Sequence, residues 1–506
     1  MRASVIAHRD YVIADIDNRI YGAFLEHLGR AIYTGIYEPD HPTADKNGMR
    51  GDVAQLVRDL NVPMVRYPGG NFVSAYNWED GIGPKDKRPT RLDLAWHTSE
   101  SNQVGIHEFA EWCDSVGTDM MLAVNLGSRG LEEARNFVEY VNGPTGSYWG
   151  DLRKQNGRAE PWDVKLWCLG NEMDGPWQIG HKTAEEYGRL AGETAKALRA
   201  FDKSLELIVC GSSHSNMPTY PEWERVVLEH TYESVDHISL HMYSSNHDKH
   251  TPNYLAHNVK LETYISTVAS TIDYVKAKTR SKRNVTISFD EWNVWYHSHK
   301  QDRAILDGKH GWPHAPALLE DIYNFEDVLQ VACCLNTFIR KSDVVKLACI
   351  AQLVNVIAPI MTEPGGGAWK QTTYYPFYFA SLFGRGRALN LLVNSPVYES
   401  SLAGDVPYLD VSGVENEAEG TLTFFLVNRS GDEALEVDLS LQGYAYARVV
   451  DHQLMVHEDL NAVNSAANPD NVRPQTGSGA KAEGGSLTVS LPPHSYQMVR
   501  LSVSRG

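Results

Sequence analysis

A (β/α)8 barrel with an additional all-β sandwich, formed mainly by the C-terminal region, is the fold this sequence predicts, and three observations predict it. Eight short, β-leaning apolar runs recur along the first three quarters of the chain. Longer stretches with helical apolar spacing lie between them, the alternation of βα units. After about Phe383 the texture changes to short alternating segments broken by turns. At 506 residues the chain can hold a barrel of roughly 250 to 400 residues and a second domain.

Residues 1–15 contain Ser4–Ala7 and Tyr11–Ala14, which are expected to return to the tail as edge strands of the sandwich. Residues 16–382 are assigned to the catalytic barrel. Its strands are predicted at Ile20–Leu25, Val62–Tyr67, Met120–Leu126, Val164–Leu169, Leu205–Cys210, His237–Met242, Val285–Phe289 and Val345–Leu353, the number such a barrel needs. Gly105–Val116, Leu131–Val141, Ala184–Ala200, Leu261–Ala277 and Phe325–Lys341 repeat apolar residues at three- and four-residue spacing and fit its outer ring. Residues 383–506 form the C-terminal sandwich, with Leu422–Val427 as a typical strand. Asn461–Gly485, rich in Asn, Ala, Gly and Ser and without periodicity, is expected to be a long exposed loop.

Composition narrows the function. Lys and Arg number 46 against 64 Asp and Glu, and the formal net charge of −18 opposes attachment to phosphate backbones or anionic lipid. Nucleic acid and membranes are therefore excluded as partners. No segment approaches the ~18 apolar residues of a membrane span, and His8-Arg9-Asp10 follows Met1–Val5 too soon for a secretory signal, so a cytoplasmic location is expected. The six cysteines (113, 168, 210, 333, 334, 349) fall mostly in apolar runs without a C-x-x-C, which reads as buried free thiols, Cys333 and Cys334 packing within a helix.

Barrel chemistry sits where strands end at the C-terminal face. Glu172 follows the fourth predicted strand and Glu291 the seventh. These strands lie on opposite arcs of the mouth, so the two carboxylates can converge on one bond from both sides. Glycoside hydrolysis needs such a pair: one group protonates the leaving oxygen, while the other, ionised, attacks or stabilises an oxocarbenium-like carbon.

An Asn-Glu ending strand four with a Glu ending strand seven resembles the large clan of retaining glycosidases on (β/α)8 barrels. Five strings narrow the resemblance: Gly22–Arg30 (GAFLEHLGR), Arg66–Phe72 (RYPGGNF), Trp78–Gly81 (WEDG), Leu169–Trp177 (LGNEMDGPW) and Asp290–Trp295 (DEWNVW). Together they resemble the family 51 α-L-arabinofuranosidases, in motif detail from Tyr21 to Phe379 and in domain layout from about residue 5 to the C-terminus. The sequence departs from the family at Glu100-Ser101-Asn102-Gln103, where Pro is expected after the Glu. The resemblance implies a retaining mechanism with Glu172 as acid/base and Glu291 as nucleophile, and a homo-oligomer, for which a hexamer is the form the family suggests.

The remaining strand-end residues receive roles on physical grounds that the family pattern supports. The Asn171 amide is placed to reach the sugar 2-hydroxyl, a contact that strengthens in the transition state; a turn-stabilising Asn is the alternative. Arg66, ending strand two, sets a positive charge beside Glu291 and favours its ionised form; a structural ion pair is the alternative. His241 joins Arg66 in support. Tyr243 ends strand six, where its phenol can donate to the nucleophile. Glu26 and Asn71 follow strands one and two, and Gln352 is a polar residue inside the apolar run of strand eight that needs a buried partner. In similar enzymes these positions grip the terminal arabinofuranose. Trp96, Trp177 and Trp295 lie in loops after strands, either as faces for sugar C–H groups or as core.

His297 and His299, with His241, His247 and His250, offer imidazoles that could suggest a metal site, but loops of this composition are usually solvated. No metal and no organic cofactor is expected. Gly365-Gly366-Gly367 lacks the Lys-Ser/Thr of a phosphate loop and is read as a flexible rim loop. The reading is a retaining, exo-acting α-L-arabinofuranosidase that takes small arabino- and arabinoxylo-oligosaccharides. Its rivals are an endo-β-1,4-glucanase or β-xylosidase on the same fold, a non-catalytic sugar-binding protein, and a His-rich metal hydrolase.

Overall fold

The computed structural model describes residues 1–505, and in it eight parallel strands close into a barrel. In chain order these are β1 (Gly22–Phe24), β2 (Met64–Tyr67), β3 (Asp119–Ala123), β4 (Leu166–Leu169), β5 (Glu206–Cys210), β6 (His237–Ser244), β7 (Thr286–Val294) and β8 (Val345–Ala351), with β8 pairing back onto β1. β1, β2, β4 and β8 are almost wholly buried, which is why they read as continuous apolar runs. β7 runs five residues beyond its predicted end and so contains Glu291.

The surrounding helices begin where local chemistry caps them. Ala184–Phe201 starts at Thr183, whose hydroxyl accepts from the Glu186 amide while the Glu186 carboxylate accepts from the Thr183 amide. Its Tyr187, Ala191, Ala195 and Leu198 form one buried stripe. The helix predicted at Leu261–Ala277 starts one turn earlier, at His257, and ends at Thr279. Phe325–Arg340 is buried on every side because barrel and sandwich enclose it, and Cys333 and Cys334 are both packed there. All six cysteines are buried free thiols.

Two antiparallel-rich sheets make the sandwich. Arg2–His8 lies inside the first, parallel to Leu435–Gln442 and antiparallel to Leu392–Asn394. It is therefore not the expected edge strand: Ala3, Val5 and Ala7 alternate inward and both backbone edges are paired. Val12–Asp15 does occupy an edge, in the second sheet. The expected long exposed loop at 461–485 is also corrected. Ala462 and Val472 are buried in the barrel's core cluster, the Asn464 amide donates to the carbonyls of Lys370 and Val472, and Ala480–Glu483 is a strand. Two apolar anchors hold this strap, too far apart to register as periodicity. The Gly365–Gly367 run is likewise no loose loop. It turns a hairpin between Ile360–Thr362 and Ala368–Lys370, pinned by the buried Arg50 guanidinium on the carbonyls of Glu363 and Gly366.

A buried ionic cluster joins the two parts. Asp410, on the sandwich strand Leu409–Asn416, accepts from Arg340 and Asn336 of one barrel helix, Asn258 of another, and Arg429. Burial opposes its charge, but Arg340 and Arg429 prevail and lower its pKa to about 2. Asp410→Ala strands the buried Arg429 guanidinium and takes one of two acids from the part-exposed Arg340, and is expected to cost about 3–5 kcal/mol, lowering the calorimetric midpoint by roughly 3–5 °C in a chain of this size. The lowered pKa means that this stabilisation is present above the ordinary aspartate pKa and is lost as pH falls through about 2. The variant's deficit should therefore narrow in acid.

Candidate active site

Glu172 stands three residues past β4, in the turn Gly170-Asn171-Glu172. Gly170 has φ +94° and Glu172 itself +44°, a left-handed conformation that costs a non-glycine residue on the order of 1–3 kcal/mol and recurs at functional sites. Glu291 arrives from the opposite arc. The register of β7 against β8 shifts between Phe289 and Trp292, which breaks strict alternation and lets both Asp290 and Glu291 approach Arg66.

Arg66, fully buried on β2, ties the centre together. Its guanidinium donates to Glu291 Oε1 at 2.7 Å and to Asn171 Oδ1 at 2.6 Å, and its Nε lies 4.0 Å from Asp290 Oδ2. Tyr243 donates to Glu291 Oε2 at 2.8 Å, so both oxygens of Glu291 are held. The Asn171 amide nitrogen is left with two long contacts, to Gln178 Oε1 at 3.4 Å and Asn71 Oδ1 at 3.5 Å.

His241, grouped above with the solvated loop histidines, is instead 2% exposed and sits beneath the two acids. Nε2 faces Asp290 Oδ1 at 2.8 Å; Nδ1 faces Glu172 Oε1 at 2.9 Å and Glu291 Oε2 at 3.6 Å. Burial disfavours its charge, but Glu291, Asp290 and Glu172 together raise its pKa to about 10. It is therefore an imidazolium with both N–H groups directed at carboxylates. His241, Glu172 and Glu291 offer ligand atoms within 4.8 Å of one another, and these side chains are already engaged: His241 Nδ1 with both acids, Glu172 also with the Trp177 indole, and Glu291 with Arg66 and Tyr243. His297 is engaged by Asp327, and His247 and His299 meet ring to ring.

Glu26 forms the next wall. Its Oε1 accepts from the Phe72 amide at 2.8 Å and the Trp96 indole at 3.1 Å, while its own amide donates to Gln352, the residue just past β8. Burial pushes its pKa up to about 8; the Phe72 amide pulls it back and the Glu291 charge adds to the rise. At neutral pH this carboxyl is mostly protonated and can donate as well as accept. A Cβ on Gly70 would lie 2.6 Å from Glu26 Oε2, so only glycine lets the side chain settle there.

These groups surround a cavity of about 760 Å³. Glu26, Asn71, Trp96, Glu172, Trp177, Tyr243, Glu291, Trp295 and Gln352 line it, and Asn171, Arg66 and His241 lie behind them. The three indoles differ. Trp96 is 8% exposed and bonded to Glu26. Trp295 meets Tyr243 edge-on and has a buried N–H without a partner. Trp177 is 46% exposed, donates to Glu172 Oε2 at 2.7 Å and lies parallel to His214. Asp290, Gln178 and the further lining residues Asn216, His257 and Lys260 carry no site role in the sequence reading. Asp290 carried the one available signal, an acid beside Glu291 at the end of an apolar run.

Two family models match the chain: the α-L-arabinofuranosidase 1 domain over residues 56–260 and the α-L-arabinofuranosidase C-terminal domain over residues 290–495. The chain is 54% identical, over 99% of both sequences, to an intracellular exo-α-(1→5)-L-arabinofuranosidase of Bacillus subtilis. It is 45% identical to an exo-α-(1→6)-L-arabinofuranosidase of Bifidobacterium longum, covering 98% of this chain and 97% of that one. A solved family 51 α-L-arabinofuranosidase from Bifidobacterium longum superposes with a TM-score of 0.94 at 43% identity, over 98% of this chain and 99% of that one.

Proposed function

The chain belongs to the family 51 α-L-arabinofuranosidases, and from that premise we propose a retaining double displacement in which Glu291 is the nucleophile and Glu172 the acid/base. It is a glycoside hydrolase with exo-α-L-arabinofuranosidase activity. The observation that carries the mechanism is the closeness of the two acids: an oxygen of Glu172 and one of Glu291 lie within 4.8 Å. That suits direct attack, for which the carboxyls stand roughly 5–5.5 Å apart, better than the 6.5–9.5 Å that admits a water.

In the first step Glu291 attacks the anomeric carbon while Glu172 protonates the departing oxygen. Arg66 and Tyr243 aim the Glu291 carboxylate, and Asn171, held by Arg66, directs its amide at the 2-hydroxyl. Glu26, Asn71 and Gln352 grip the other hydroxyls, and Trp96 and Trp295 exclude water. His241 keeps its Nδ1–H between the two acids, where it can follow the negative charge as it leaves Glu291 and appears on Glu172. In the second step Glu172 takes a proton from water, which attacks the arabinosyl ester from the same side. NMR of the reaction in progress should show α-L-arabinofuranose as the first-formed anomer; β-anomer appearing first would overturn the mechanism.

Substrates on this reading are short arabino- and arabinoxylo-oligosaccharides cleaved at the non-reducing end, inside the cell. Relatives named intracellular support the location, and no helix among the described residues is long and apolar enough to cross a membrane. The division at residues 15/16 and 382/383 belongs to the same proposal, with the sandwich a structural part of the enzyme. Pairing of the N-terminal strand with the tail and the Asp410 cluster support this. A homo-oligomer belongs to the same proposal and is testable by sedimentation.

A further inference from the structure

The chemistry dictates which side of the pocket receives the departing group. Glu172 protonates the leaving oxygen, so that group lies on the Glu172 side, away from Glu291. Trp177, whose indole holds Glu172, and His214 stacked on it mark that side, and Asn216, His257 and Lys260 line the same cavity. At about 760 Å³ the cavity is in the range that holds roughly drug-sized ligands, leaving room beyond a single pentofuranosyl ring.

The charges lining this cavity are unevenly placed. Its acidic side chains, the mostly protonated Glu26 and the catalytic pair Glu172 and Glu291, gather around the strand ends where bond cleavage occurs. Lys260 is the one lysine or arginine lining it among the described residues. Its ammonium makes neither a hydrogen bond nor an ion pair with any described residue. Lys260 stands in the opening turns of the 23-residue helix His257–Thr279, whose first turn has no acidic residue and whose N-terminus has no side-chain cap. The helix dipole there adds to the positive potential of the lysine. One turn earlier, His257 presents a buried Nδ1 that has no partner. Burial, with Lys260 nearby, lowers its pKa to about 4, so it is a neutral hydroxyl partner and not a second cation.

We propose that the leaving-group side of the pocket is built for a sugar bearing a carboxylate, a uronic acid residue, with Lys260 binding the carboxylate and His257 and Asn216 its neighbouring hydroxyls. In a chain of net charge −18 an anionic group is repelled in general, and an unpaired lysine lining the pocket supplies the local exception. The proposal rests on the arabinofuranosidase reading of the same pocket.

The test compares two substrates that differ in charge and by one methyl group: α-L-arabinofuranosyl-galacturonic acid and its methyl ester. The wild type should cleave the acid with a kcat/KM about ten-fold above the ester at low salt, the gap closing as salt rises. Lys260→Met should bring the ratio to one and Lys260→Arg should preserve it; because the ratio is taken within each variant, a general loss of activity does not enter. Equal cleavage of acid and ester by the wild type, or a preference that survives Lys260→Met, would overturn the proposal. If the wild type fails even on 4-nitrophenyl α-L-arabinofuranoside, the underlying reading falls and this inference with it.

Discussion

Replacing Glu291 by Ala should lower kcat/KM by roughly 10⁴- to 10⁶-fold, the loss seen when an enzyme's nucleophile is removed, or about 5–8 kcal/mol of transition-state stabilisation. The variant should keep its fold, because Arg66 retains Asp290 and Asn171 as partners when the Glu291 carboxylate is gone. What remains is a small cavity between a guanidinium and the Tyr243 hydroxyl, the two groups that held the Glu291 oxygens at 2.7 and 2.8 Å. Azide fits such a site by size and charge. Added to the variant with an activated aryl arabinofuranoside, it should restore turnover and yield the inverted β-L-arabinofuranosyl azide, since it attacks from the face Glu291 occupied. Mass spectrometry and NMR of the product decide the point. A retained azide, or no rescue from a well-folded variant, would remove Glu291 from the nucleophile's role.

The position of this residue also shows how much of the molecule was legible in sequence. Eight apolar runs gave the barrel because its strands are buried on both faces, and the place of Glu172 followed from its closeness to the fourth run. Strand seven was read as ending at Phe289 because Asp290-Glu291 looks like a polar boundary. It continues to Val294 because Arg66 and His241 supply the buried charges that let two acids stand inside a sheet. Those partners lie 225 and 50 residues away, so no local pattern announces them. His257 and Lys260 escaped notice for a different reason: without a capping residue, the start of their helix carries no signal, and the apolar repeat begins only at Leu261. In the sandwich, Ser4–Ala7 reads as a strand, but a single segment does not say whether that strand has one neighbour or two. The Asp410 cluster was hidden likewise, its arginines falling within segments that read as ordinary helix and turn.

Glu172→Ala should separate the two steps that Glu291→Ala destroys together. With a sugar leaving group, whose hydroxyl is a poor acid, arabinosylation depends on proton delivery, and kcat/KM should fall by roughly 10²- to 10⁴-fold. With a 4-nitrophenolate leaving group little protonation is needed, so kcat/KM for that substrate should stay within about ten-fold of the wild type. The second step suffers on every substrate, because no base remains to take the proton from water. The arabinosyl ester on Glu291 should therefore accumulate, giving a burst of nitrophenolate, a low kcat and a low KM. Azide, which needs no base, should enter beside Trp177, whose indole N–H has lost its acceptor at 2.7 Å, and release the retained α-L-arabinofuranosyl azide. Opposite azide stereochemistry from the two variants is the strictest check available, because it requires the two carboxylates to stand on opposite faces of the sugar. Equal losses of kcat/KM on activated and unactivated substrates would contradict the acid role, and without that role the different settings of the two acids, Glu291 between Arg66 and Tyr243 and Glu172 between His241 and the half-exposed Trp177, would have no chemical purpose.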